Sequence, residues 1–293
     1  MTHFKGIFAP IATPFLNGTI NWDGLKQNIA FYNKTKLAGL VVLGSNGEFA
    51  LLSHEEKTQL VAFVRKHLVA NKKIIAGTGC ESTEETIALS NECAAVGADA
   101  ALVVTPWYYK GSYTEDVLAV HFQTIADAVK VPVMLYNMPR NAGVNMTPGL
   151  VARLAKHPNI VGVKDSGGDI VQITNIIRQT PADFSVFAGS GSFLYATLAL
   201  GGVGGTLAVA NVLPDYCAEL AEAVNQGDHK RAVEMQKNLM EINAAVTSKY
   251  GISGLKKVMD LIGLVGGDPR PPLLPLEDSK TEDLKRLLAP FGL

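Results

Sequence analysis

The chain has 293 residues, 47% of them hydrophobic and 18% charged, and its 26 Lys plus Arg against 27 Asp plus Glu leave a formal net charge of -1. A disordered chain would be poorer in apolar residues and more lopsided in charge, and a nucleic-acid binder would carry a basic surplus or a basic run. Small molecules and further copies of the chain are the partners this composition points to, with no nucleic acid among them. Length alone suggests about two domains, although single α/β barrels of roughly 250 residues are a common exception.

The opening Met1 to Gly6 shows neither a charged segment leading into an apolar one nor an Arg-rich amphipathic stretch, so a cytoplasmic location is expected. No apolar run approaches the roughly 20 residues that span a bilayer, so no membrane is expected either. From there a repeated alternation begins, of short β-rich apolar runs with amphipathic segments, which is the pattern of a parallel sheet built from βα units. The apolar runs are Gly6 to Ile11, Gly39 to Leu43, Lys73 to Ala76, Ala100 to Val104, Val131 to Tyr136, Ile160 to Lys164, Phe184 to Ala188 and Val203 to Ala208. Between them the spacing predicts helices over Asp23 to Lys36, Ser53 to Val69, Ser82 to Val96, Thr114 to Val129, Thr147 to Lys156, Ile170 to Gln179 and Gly191 to Leu200. Ser53-His54-Glu55-Glu56 and Ser82-Thr83-Glu84-Glu85 carry N-cap chemistry, in which the serine oxygen accepts the third helical N–H and the glutamate reaches back.

Strands alternating with crossover helices in this number predict an α/β fold, a closed (β/α)8 TIM barrel, because closure leaves no exposed sheet edge. A doubly wound sheet is the competing arrangement. No run is followed by G-x-G-x-x-G, and the nearest candidate, Gly189-Ser190-Gly191, has Leu194 where the third glycine belongs. After Asn211 the strand pattern stops, and Pro214 to Asn225, Asp228 to Thr247 and Gly254 to Ile262 read as helices. The expected division is a catalytic barrel over 1–212 and a C-terminal helical region over 213–293 packed on it. The stretch Asp268-Pro269-Arg270-Pro271-Pro272 reads as a rigid connector to a last helix.

Cys80, Cys93 and Cys217 are odd in number and widely spaced, which predicts buried reduced thiols rather than disulfides or a zinc site. His3, His54, His67, His121, His157 and His229 are scattered without metal-ligand spacing, so no metal and no cofactor are expected.

In a barrel the chemistry sits where strands end and βα loops begin. The sixth run ends in Val163-Lys164-Asp165-Ser166-Gly167-Gly168. A lysine closing an apolar strand is unusual, because its ammonium is costly to bury; desolvation favours the free amine, a nucleophile toward carbonyls. The alternative is a lysine that reaches solvent or pairs with Asp165. The fifth run ends in Tyr136, followed by Asn137-Met138-Pro139, and a phenol there can relay protons or simply pack. Adjacent strands end at similar height, so Tyr136 and Lys164 are placed to face one substrate. After the second run, Gly44-Ser45-Asn46-Gly47-Glu48 offers N–H groups and a hydroxyl suited to a carboxylate, in a pattern that is also ordinary turn chemistry. Gly189, Ser190 and Thr206 are the candidate contacts at the ends of the seventh and eighth runs. No Lys or Arg lies between Ser185 and Val212, which favours a carboxylate over a phosphorylated sugar.

Taken together, Gly44 to Glu48, Tyr136-Asn137-Met138-Pro139 and Gly162-Val163-Lys164-Asp165-Ser166 resemble the dihydrodipicolinate synthase and N-acetylneuraminate lyase superfamily over nearly the whole chain. The resemblance implies a homotetramer arranged as a dimer of dimers. It implies pyruvate bound as a Schiff base on Lys164, Tyr136 as proton shuttle, and the pyruvate carboxylate on Ser45 and Asn46. It also implies that Tyr108, in Thr105-Pro106-Trp107-Tyr108-Tyr109, is lent across a subunit interface.

Dihydrodipicolinate synthases typically read G-T-T-G-E at the carboxylate loop, place an arginine five residues after the shuttle tyrosine, and follow the lysine with Glu-Ala. Here those positions hold Gly44 to Glu48, Asn141 with Arg140 one residue short, and Asp165-Ser166. Segments such as Lys164 to Asp169, Asn243 to Thr247 and Gly254 to Lys257 look most like 4-hydroxy-2-oxoglutarate aldolases, in which the serine equivalent to Ser166 helps hold the substrate beyond the keto carbon. The expected activity is a class I aldolase acting on a 2-oxo acid, with 4-hydroxy-2-oxoglutarate cleaved to pyruvate and glyoxylate as the leading case. 4-Hydroxy-tetrahydrodipicolinate synthase, a 2-keto-3-deoxy sugar acid aldolase and a ligand-binding barrel without turnover are the alternatives. Arg140 is the cation whose orientation bears most on the distal carboxylate.

Overall fold

The computed structural model describes residues 4–293, so the expectations on Met1, Thr2 and His3 lie outside the described residues. Eight parallel strands close into a barrel, the first pairing with both the second and the last. They are Gly6–Pro10, Gly39–Val42, Lys73–Gly77, Ala100–Val104, Val133–Asn137, Ile160–Asp165, Ser185–Ala188 and Gly204–Thr206. Every strand is buried on both faces, as a parallel sheet wrapped in helices requires.

Inward and outward residues alternate along each strand. Phe4, Phe8, Val41, Ile75, Leu102, Met134 and Phe187 fill the interior, whereas Val103, Leu135 and Val163 face the helices. Inside the barrel the rings of Phe8 and Phe187 meet edge to face with centroids 5.8 Å apart. Gly39 and Gly204 leave them room, since a Cβ at Gly39 would lie 2.6 Å from the Phe8 ring and one at Gly204 2.8 Å from the Phe187 ring. In barrels of this kind the substrate opening lies where the strands run out at their C-terminal ends.

The crossover helices start as their caps predict. Ser53 accepts from the N–H of Glu56 while the Glu56 carboxylate accepts from the N–H of Ser53, and the Ser82 hydroxyl accepts from the N–H of Glu85. The helix Ile170–Gln179 has the expected bounds, with Asp169 as its N-cap. The run expected to be helical from Gly191 instead begins as a 3-10 turn, Gly191–Phe193, and becomes α-helical over Leu194–Ala199. The last strand is shorter than its apolar run, because Ala208–Asn211 turns into a 3-10 segment. A two-stranded hairpin, Phe15–Leu16 with Thr19–Ile20, turns on Asn17 and Gly18, both at positive φ, and is too short to leave a periodic signal.

Beyond the barrel the chain forms helices Pro214–Asn225, His229–Ala244, Gly251–Leu261 and Thr281–Leu288. A π-helical stretch, Ala245–Lys249, links the second and third of these. Among the described residues no helix is long and apolar enough to cross a membrane.

The cysteines divide differently from expectation. Cys93 and Cys217 are fully buried and free, whereas Cys80 is only partly buried, because it sits in the loop after the third strand rather than in the helical layer. Burial pushes the Cys93 thiol up to about 12, and burial pushes the Cys217 thiol up further still. Thiol titration with an aromatic disulfide reagent is therefore expected to label Cys80 alone in the native protein and all three in urea. Rapid native labelling of Cys93 or Cys217 would contradict this packing.

Candidate active site

Strand register brings the lysine and the phenol together. Tyr136 and Lys164 are direct partners across the fifth and sixth strands, and Lys164 is in turn level with Phe187. Both side chains point into the barrel, where Lys164 is 4% and Tyr136 6% exposed. The Lys164 Nζ lies 4.0 Å from the centre of the Tyr136 ring. Across the opening, the Ser45 hydroxyl stands 3.5 Å from the Tyr136 hydroxyl.

Asp165 does not pair with Lys164. Alternation turns its fully buried carboxylate out of the barrel, where it accepts from Asn137 Nδ2 at 2.8 Å, Gln172 Nε2 at 2.9 Å and the N–H of Gly167 at 2.9 Å. The carboxylate thereby fixes the strand end and the turn that follows, while Lys164 is left facing the pocket. Of the two sequence-level alternatives for this lysine, neither solvent access nor an Asp165 pair is what the fold provides.

The phenol is tuned by this enclosure. Burial raises the Tyr136 pKa, but the charge of Lys164 and hydrogen bonds with Ser45, Lys164 and Ser166 outweigh burial and hold it below the usual tyrosine value. A phenol poised this way exchanges a proton more readily than one in bulk water, which is what an acid/base relay needs.

The other expected residues are distributed around the same opening. Ser45 and Asn46 form the 3-10 turn Ser45–Gly47, half-buried, with the Thr13 hydroxyl donating to Gly47 O at 2.8 Å. The Ser166 hydroxyl is buried beside the phenol, and Thr206 Oγ1, at the end of the eighth strand, is buried without a partner among the described residues. Gly189 is packed so closely on Ser166 that a Cβ there would collide with its Oγ. The Ser190 hydroxyl accepts from Asn243 Nδ2 at 3.2 Å. Three expected residues stand apart: Tyr108 is 74% exposed beside the equally exposed Tyr109, and Arg140 and Asn141 are exposed on the short helix Pro139–Ala142. No cluster of three or more His, Cys, Asp or Glu able to hold a metal occurs among the described residues.

Several groups that shape this site were not read from the sequence as site residues. Glu48 was legible as part of its loop, but its partner Lys256 lies in the C-terminal helices, and only folding brings the two within 2.6 Å. Arg270 read as part of a connector, yet its guanidinium forks onto the Glu56 carboxylate at 2.7 and 2.8 Å and its N–H donates to Glu48. Asn243 and Gln236, which hold the loop after the seventh strand, sit on an amphipathic helix where polar residues are unremarkable.

Comparison with known proteins places the chain in a family. Residues 3–290 match the model of the dihydrodipicolinate synthetase family. The chain is 37% identical over 290 residues to 4-hydroxy-tetrahydrodipicolinate synthase of Ruegeria pomeroyi, covering 99% of both chains. It is 36% identical to the protein of the same name in Archaeoglobus fulgidus, again covering 99% of both. A solved dihydrodipicolinate synthase from Thermotoga maritima superposes with a TM-score of 0.95 over 99% of each chain at 29% identity. The chain thus belongs to the dihydrodipicolinate synthetase family and is a class I carbon–carbon lyase that forms a Schiff base between a lysine and pyruvate.

Proposed function

We propose that Lys164 carries the pyruvate Schiff base and that the aldehyde partner bears a carboxylate of its own. The observation that supports this is the Lys164 amine buried against the Tyr136 ring, with the Ser45 turn opposite. The amine attacks C2 of pyruvate and water leaves, giving a protonated imine. Loss of a C3 proton then yields an enamine, whose C3 attacks the aldehyde carbon. Tyr136 supplies the proton that the new alkoxide takes up, and in the reverse direction it removes that proton as the C3–C4 bond breaks. Ser45 and Asn46 hold the pyruvate carboxylate through hydroxyl, amide and N–H groups. The exposed Tyr108 is assigned to a neighbouring copy's pocket in a homotetramer.

The names of the relatives favour aspartate semialdehyde as the partner, which makes the chain a 4-hydroxy-tetrahydrodipicolinate synthase. A second reading, cleavage of 4-hydroxy-2-oxoglutarate to pyruvate and glyoxylate, is favoured by this chain's own residues. Asn141 stands where synthases typically carry arginine, Arg140 is exposed on its short helix, and Ser166 adds a buried hydroxyl beside the phenol. Initial rates on a panel of both reactions, with 2-keto-3-deoxy sugar acids included, separate the readings. A kcat/KM for pyruvate with aspartate semialdehyde at least tenfold above that for cleavage establishes the synthase, and the opposite ratio establishes the aldolase. Failure to release or consume pyruvate with every substrate would leave only a ligand-binding barrel.

Borohydride treatment with pyruvate is expected to leave a reduced adduct at Lys164, seen by peptide mass spectrometry, and none in Lys164→Ala. An adduct on another lysine would overturn the assignment. Tyr136→Phe is expected to lower kcat by about 10²- to 10⁴-fold, the usual worth of a positioned acid/base. In Ser45→Ala the phenolate loses a hydrogen bond that favours it, so the Tyr136 pKa rises. The limb of the pH–rate profile that Tyr136 governs then moves to higher pH, and an unmoved limb would show that Tyr136 does not govern it.

A further inference from the structure

The turn that presents Ser45 and Asn46 is bracketed by two residues other than glycine in the left-handed region, Leu43 at φ 63° and Glu48 at φ 58°. Such backbone costs energy and persists only where the surroundings over-determine it. At one end the strain is held by packing: a Cβ at Gly77 would collide with the Leu43 carbonyl, so that strand lies directly against it. At the other end it is held by charge. The Glu48 carboxylate lies 2.6 Å from Lys256 Nζ, with side chains 0% and 1% exposed, and its second oxygen accepts from the N–H of Arg270 at 2.7 Å. Lys256 also donates to Asp268 O at 2.9 Å and sits 4.5 Å from the centre of the Phe15 ring.

Stability alone is a weak reason for such a pair. Burying two charges costs desolvation that their attraction barely offsets, and well-packed apolar replacements are often neutral or stabilising. What the pair supplies is a fixed position, since a carboxylate ion-paired through one oxygen, hydrogen-bonded through the other and shut off from solvent has one place to sit. Only Gly47 separates Glu48 from Asn46, so displacing the carboxylate displaces the turn.

We infer that Lys256 is a positioning residue for pyruvate, acting through Glu48 to hold the Ser45-Asn46 turn in its binding geometry from the C-terminal helices. This rests on the reading of Lys164 as the Schiff-base lysine and of that turn as the carboxylate site.

The test is the pyruvate concentration that half-saturates borohydride trapping of the full-length chain, which is independent of the aldehyde partner. Lys256→Met is expected to raise it tenfold or more, while saturating pyruvate still traps the protein fully. Leu284→Ala, which opens a cavity in the last helix away from the turn, is expected to lower the unfolding midpoint and leave half-saturation unchanged. Should Lys256→Met fail to fold, the double variant Glu48→Gln/Lys256→Met, which leaves no unpaired buried charge, is expected to show the same rise. Wild-type half-saturation in a folded Lys256 variant would overturn the inference by itself. Absence of any adduct at Lys164 in the unaltered chain would instead overturn the Schiff-base reading on which it rests.

Discussion

A lysine amine enclosed by a closed sheet is the constraint around which the rest of this molecule is arranged. Water cannot solvate Lys164 at 4% exposure, so its environment must come from protein groups. The nearest are the face and hydroxyl of Tyr136 and the rim of small polar residues at the strand ends. Placing them there requires the strand register that sets Tyr136 level with Lys164, and it requires Asp165 to be drawn outward by Asn137, Gln172 and the Gly167 N–H. If Asp165 turned inward, its carboxylate would pair with the Lys164 ammonium, an arrangement that disfavours a free amine.

The same economy governs anion binding. The rim of the opening offers hydroxyls, amides and N–H groups rather than fixed cations, and such donors bind a carboxylate well only when held in place. Positioning therefore falls to groups outside the barrel. Lys256 and Arg270 hold the turn after the second strand through Glu48, and Asn243 and Gln236 hold the loop after the seventh through Gly191 and Ser190. The π-helical stretch Ala245–Lys249 lies along the chain between Asn243 and Lys256. The C-terminal region thus contacts both of these loops.

Family membership and substrate are separate questions here. Similarity that covers 99% of each relative establishes the family and its lysine–pyruvate chemistry. The proposed discrimination between aldehyde partners turns on Asn141, Arg140 and Ser166, of which Arg140 and Asn141 are exposed and the Ser166 hydroxyl is buried. Overall similarity is therefore a poor guide to the second substrate even when it is decisive about the first.

The sequence by itself determined the barrel, because alternating apolar runs and capped helices encode local structure, and Ile170–Gln179 and Pro214–Asn225 fell where the spacing predicted. It also placed Lys164 level with Tyr136, since strand-end residues in a parallel barrel share a height. Tertiary structure alone decided which way Asp165 faced, how exposed Cys80 and Arg140 were, and that Glu48 would meet Lys256 and Arg270. Local periodicity carries no record of a partner far along the chain. A buried charge announces itself only when its opposite arrives.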